Sequence, residues 1–179
     1  MSLYLWQLHH HETEHDKPEQ FAQHVTAPVS GTTEAVTVAI AHDDSGDIRS
    51  QAVTILLSDN QQQRAEQVLR HWLSICQTKD ASHPLTATAE IREVYLVTPG
   101  IAVVDVNSAF ADGQTSGVLA EELTVVSLAQ TLSINFPGLS GIKILVDGKE
   151  RDTLAGHFDI STVIRTSDVA QIAKQIGPQ

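Results

Sequence analysis

The chain has 179 residues, 41% of them hydrophobic, enough to bury one core of ordinary size and too few for two comfortable domains. Its formal net charge is −11, from 22 acidic against 11 basic side chains, which excludes the attraction behind non-specific nucleic-acid binding and disfavours anionic membrane surfaces. A single cysteine, Cys76, excludes an internal disulfide and any multi-cysteine metal cage.

The chain opens with Tyr4-Leu5-Trp6-Gln7-Leu8. Such aromatics are enriched where a membrane helix leaves the hydrocarbon, so this stretch reads either as the remnant of a membrane anchor or as a frayed terminus. No run approaches the roughly 18 to 20 apolar residues that span a bilayer. His9, His10, His11 and His15 follow, with His11 and His15 at the i, i+4 spacing that could chelate a metal on a helix. A solvated linker lacks the fixed geometry that ligands need, so no metal is expected there. Residues 1–34 are polar and aperiodic and read as linker, with the domain starting at Ala35.

Val36 to His42 is β-branched and apolar enough for a strand, Asp43 to Asp47 is turn chemistry, and Val53, Ile55 and Leu57 alternate on a second strand. Together they predict a hairpin. Asp43, Ser45 and Asp47 imitate the opening of a calcium loop, but glycine falls at the fourth position and Thr54 at the twelfth, so the turn is the better reading. Ala65, Val68, Leu69, Trp72, Leu73 and Cys76 then form one apolar stripe at helical period, with Ser58 or Asp59 as its cap. Two strands flanking Pro99-Gly100 predict a second hairpin with a type II turn. A loop from Asn107 to Gly117 leads to a second helix, with Val118, Val125, Leu128, Ala129, Leu132 and Phe136 on one face, stopped by Pro137-Gly138.

Ile142, Ile144 and Val146 mark another strand, and Asp147-Gly148 suits a type I′ turn because both central residues need positive φ. Lys149 to Asp152 reads as a charged return strand that blunts the sheet edge. A last helix is predicted from Asp168 to Ile176, capped by Ser167 and ended by Gly177. Two amphipathic helices with one face each to hide, and one mixed sheet to cover both, predict an α+β fold, a two-layer α-β sandwich with both helices packed on one face.

The second half carries an ordered set of fragments: Val104-Asp105, Glu121, Thr131-Leu132, Pro137-Gly138, Asp147-Gly148-Lys149 and Gly156-His157. In that order and spacing they resemble the GerMN domain, a module of sporulation and spore-germination proteins. The resemblance covers Val36 to Ser161, more loosely in its first half, and one copy is present. It implies a GerMN-like domain over residues 35–161 and a tail with a short helix over 162–179. It implies an extracytoplasmic protein anchored to the bacterial cell membrane by a segment before this chain, acting in protein interaction or assembly, with no enzymatic activity. Asp105, Glu121, Thr131, Asp147, Gly148, Gly156 and His157 would then be structural signature residues. An anchored protein would also favour reading the Tyr4–Leu8 stretch as an anchor remnant.

The residues themselves leave a competing reading. Glu121, beside Glu122 in the first turn of the second helix, lies one turn before Val125 on the apolar stripe. Burial there could raise its pKa toward a catalytic role, while a plain helix-end carboxylate would bond free backbone amides. His157 with Asp159 and Asp147 offers half of a nucleophilic triad, but no serine in a strained turn accompanies it and Cys76 lies on an apolar stripe. Gly156-His157 as a structural pair would give close backbone approach and a ring bonded to a neighbouring carbonyl. The leading expectation is a non-catalytic envelope module without metal or cofactor, pairing with an envelope protein or with itself. The alternative is a peptidoglycan-binding or cell-wall hydrolytic domain using Glu121, His157 and Asp159. With two Trp, two Tyr and four Phe, little is left for stacking nucleobases or sugars.

Overall fold

The computed structural model describes residues 31–97 and 99–175. The N-terminal histidines, the Tyr4–Leu8 stretch and the expected stop at Gly177 lie outside the described residues. The elements run β1 (Gly31–His42), β2 (Asp47–Ser58), α1 (Gln61–Cys76), β3 (Ile91–Val97), β4 (Ile101–Val106), α2 (Ser108–Asp112), α3 (Val118–Asn135), β5 (Gly141–Val146), β6 (Ile164–Arg165) and α4 (Thr166–Gln175).

The chain forms an α+β sandwich whose strands are divided between two sheets. β1 and β2 make an antiparallel hairpin in unbroken register from Gly31↔Ser58 to His42↔Asp47. The second sheet has the order β3-β4-β5-β6. It is mixed, because β4 and β5 run parallel while its other pairs are antiparallel. A parallel pair needs a long crossover, and α2 with α3 supplies it.

Side chains from the helices keep the two sheets apart. Thr37 and Ala39 in β1 turn their peptide groups away from β2. The Thr37 N–H donates to Asn135 Oδ1 at 3.3 Å, and Asn135 Nδ2 donates to the Thr37 carbonyl at 2.6 Å. The Ala39 N–H donates to Thr131 Oγ1 at 2.9 Å, and the Ala39 carbonyl accepts from Ser127 Oγ at 2.8 Å and Trp72 Nε1 at 3.0 Å. Residues 127, 131 and 135 lie four apart on α3, a rise of about 6 Å per step, close to the roughly 6.8 Å repeat of alternate strand residues. The helix thus stands in for a third strand. β3 is closed in the same way by α1, where Arg70 donates to the carbonyls of Ile91 at 3.2 Å and Arg92 at 2.7 Å.

The apolar stripe of α1 faces inward as expected, with Trp72 fully buried and its ring 6.3 Å from that of Phe110. Four local expectations are corrected. The cap of α1 is Asn60, whose side chain accepts from Gln62 N at 3.0 Å and Gln63 N at 3.1 Å, while Ser58 Oγ donates to Gln63 Oε1. Val118 is 67% exposed, because α3 meets the core only from Glu121 onward. The Asn107–Gly117 segment contains the helix α2, capped by Asn107 Oδ1 accepting from Phe110 N at 2.8 Å.

The fourth correction is the return strand. Asp147 and Gly148 do take positive φ, 50° and 71°, but after one bridge, Val146↔Lys149, the chain leaves the sheet. β6 pairs with the opposite end of β5, through Ile142↔Ile164 and Gly141↔Arg165. The segment between folds back as a loop nailed down by Leu154 and Ile160, both fully buried. Such side chains contribute about 1.5–3 kcal/mol each, which outweighs what a short charged edge strand offers.

Candidate functional site

The loop from Asp152 to Ser161 is closed by the Thr153↔Asp159 bridge and by Ile160 N donating to the Asp152 carbonyl at 2.9 Å. Inside it Gly156 holds φ at +119°, a backbone state closed to most L residues. That bend turns three peptide N–H groups to one side, forming a concave nest suited to an anion. The anion is already there. Glu121 Oε2 accepts from Ala155 N at 3.0 Å, His157 N at 2.9 Å and Phe158 N at 2.8 Å. Glu121 Oε1 lies 2.8 Å from His157 Nδ1.

Glu121 is fully buried. Burial pushes its pKa up, but the amides of Phe158 and Ala155 and the ring and amide of His157 outweigh it and hold the carboxyl at about 2. The expected rise from burial is therefore reversed, for a local reason: four N–H donors converge on the charged form. An ionised carboxylate only accepts, so Nδ1 of His157 carries the proton and donates. The half-exposed ring meets this carboxylate, not a backbone carbonyl. Gly156 serves its φ and not a close approach, since a Cβ there would meet nothing within 4 Å.

The other acidic residues singled out from the sequence are occupied elsewhere. Asp159 Oδ1 accepts from Ser161 N at 2.8 Å and Ser161 Oγ at 2.6 Å, and these bonds lower its pKa. Asp105 Oδ1 accepts from Gly148 N at 2.7 Å, fixing the turn after β5. Arg92 bridges Asp105 and Asp147, at 3.2 Å from each. Thr131 sits on the β1 edge, where its hydroxyl also donates to the Ser127 carbonyl at 2.9 Å. Glu121 and His157 thus form one unit, whereas Asp159, Asp147, Asp105 and Thr131 fasten other seams. The Asp43–Asp47 segment is a hairpin turn in which Arg49 and Ser45 bond Asp47. Cys76 is 1% exposed, and burial, with Asp43 nearby, pushes its thiol up to about 12.

Sequence reasoning missed a second line of polar groups. His83 Nδ1 lies 2.6 Å from Asp43 Oδ1, and its Nε2 lies 2.7 Å from Thr124 Oγ1. The order acid, imidazole, hydroxyl copies a hydrolytic triad. Thr124 is fully buried, however, and its oxygen also lies 2.7 Å from Gln114 Oε1 and 3.0 Å from the Ala120 carbonyl. A hydroxyl so enclosed ties the 77–90 loop to α3 and cannot reach a substrate. The signal available in the sequence was polar residues at buried helix positions, Thr124 and Ser127 among them.

What the site can do chemically is narrow. Glu121 presents no free oxygen, Asp159 does not join it, and among the described residues no three His, Cys, Asp or Glu side chains gather as a metal-ligand set.

A family model, Germane, described as sporulation and spore germination, matches residues 23–152. Among solved structures the chain is similar to the tandem GerMN domains of the sporulation protein GerM from Bacillus subtilis, with 22% identity and a TM-score of 0.56, over 76% of this chain and 48% of that one. It therefore spans about half the length of that tandem structure. The first GerMN domain of the same protein aligns at 17% identity and a TM-score of 0.48, over 74% of this chain and 99% of that one. A candidate lipoprotein from Clostridium perfringens aligns at 19% identity and a TM-score of 0.48, over 80% and 93% of the two chains. No curated protein gives a significant match.

Proposed function

The chain belongs to the Germane family of sporulation and spore-germination domains, and from that premise we propose that it is a non-catalytic interaction module of the bacterial cell envelope. The observation that carries this reading is Glu121. A carboxylate held at about 2 by four donors and sealed from solvent is a fastener for the 152–161 loop, and it can neither give nor take a proton at neutral pH. Asp159, the second acid a hydrolase would need, is bonded to Ser161.

Its place outside the cytoplasm, held to the membrane by a segment before Gly31, is part of the same proposal. Among the described residues no helix is long and apolar enough to cross a membrane. The work of the module is binding a protein partner of the envelope, either another protein or a second copy. Affinity capture from cell envelopes, with this chain as bait, tests it beside an assay of cell-wall hydrolysis. Capture of a defined partner with no hydrolysis is the expected result, and hydrolysis lost on Glu121→Gln would overturn the reading.

A further inference from the structure

The outer edges of β1 and β3 have helix side chains against them. The outer edge of β2 is open over most of its length, and it is a long unbroken strand where β6, at the far edge of the other sheet, has two residues. Because Thr37 and Ala39 point their peptide groups away from β2, their register partners Ala52 and Ser50 must point theirs away from β1. Alternation extends this to Ile48, Thr54, Leu56 and Ser58. Ser58 N is capped by Gln67 Oε1 at 2.7 Å, which confirms the phase. For the other five no hydrogen-bond partner is present on that side among the described residues.

This edge lacks the usual protections. From Ser50 to Ser58 there is no charge, no proline and no glycine, and the register with β1 carries no bulge. Edge strands without such features template pairing with another strand. Ser50, Ala52 and Thr54 are exposed, and Leu56 is 52% exposed.

We infer that the outer edge of β2 pairs with β2 of a second copy of this chain, antiparallel about a two-fold axis at Ala52, to form one continuous four-stranded sheet. This deepens the interaction-module reading and rests on it. The choice of occupant follows from the edge's own symmetry. The five outward residues centre on Ala52, so an isologous contact sets Ile48 against Leu56, Ser50 against Thr54 and Ala52 against itself. Between them Asp47 faces Leu57, Arg49 faces Ile55 and Gln51 faces Val53. No charge opposes a like charge, although each copy carries −11. On the Ala52 face Ile48 meets Leu56, which covers it, and hydroxyl meets hydroxyl, while on the other face each polar side chain meets an apolar one.

Sedimentation of the full chain over a broad concentration series reads the result. A dimer fraction that grows with concentration is expected, with its loss in Ala52→Lys, which sets two ammonium groups on the axis, and in Thr54→Lys. Both positions are exposed and their N–H groups face outward, so far-UV circular dichroism should stay unchanged. Under oxidation Ala52→Cys should give a covalent dimer that Gln51→Cys, facing Val53, does not, and Cys76 is buried away from the reaction. A monomer at every concentration, or a dimer that survives Ala52→Lys, overturns the inference. If a monomeric chain still captures an envelope protein and loses it on Ala52→Lys, the edge takes a foreign strand. Self-pairing then falls while the interaction reading stands. If nothing is captured and cell-wall material is hydrolysed, the reading itself has failed.

Discussion

The carboxylate of Glu121, in the first turn of α3, is 2.8 Å from the imidazole of His157 and fills the backbone nest that His157 helps to form. A helix and a loop far apart in sequence are locked by one buried charge. The lock predicts how the molecule responds to mutation and to pH.

Glu121→Ala should destabilise the fold by up to about 1–3 kcal/mol for each nest N–H left without an acceptor. Glu121→Gln should cost less, since the amide oxygen still accepts from the nest. Chemical denaturation of both variants checks the order, with the slope on denaturant unchanged.

Acid should weaken the native state in a defined window. The folded pKa of Glu121 is about 2 against an ordinary 4.5, so its contribution is fully present above 4.5 and is lost as pH falls toward 2. At roughly 1.4 kcal/mol per unit, that shift corresponds to about 3 kcal/mol. Stability curves of wild type and Glu121→Gln should converge across this window, and parallel curves would refute the linkage.

Gly156→Ala should cost about 1–3 kcal/mol although the site has room for a methyl group, because the penalty lies in holding φ at +119°. Thermal unfolding measures it. A neutral effect would mean that the loop keeps its nest with an ordinary backbone.

Thr131→Val should leave the Ala39 N–H without its acceptor and cost about 1–3 kcal/mol. Hydrogen exchange at Ala39 should accelerate in this variant while amides in β4 and β5 keep their protection. Uniform acceleration would show a global effect instead.

Much of the frame was legible locally. The stripe from Ala65 to Cys76 gave α1, and Asp147-Gly148 and Pro99-Gly100 gave turns, because backbone geometry at those positions depends on near neighbours. The return strand after Gly148 does not form because the competition is distant: the burial of Leu154 and Ile160 draws the segment away from β5. Glu121 illustrates the same limit. Its position on the apolar face was readable, but the donors that decide its charge come from Ala155 to Phe158. The side-chain ladder from Ser127 through Asn135 was visible only as polar letters inside an apolar helix.

The most direct measurement is a carboxyl-carbon NMR titration of Glu121 in the folded chain. A midpoint near 2 is the expected result for a structural anchor. A midpoint above the ordinary 4.5 would mean a carboxyl able to hold a proton for chemistry, and would contradict it.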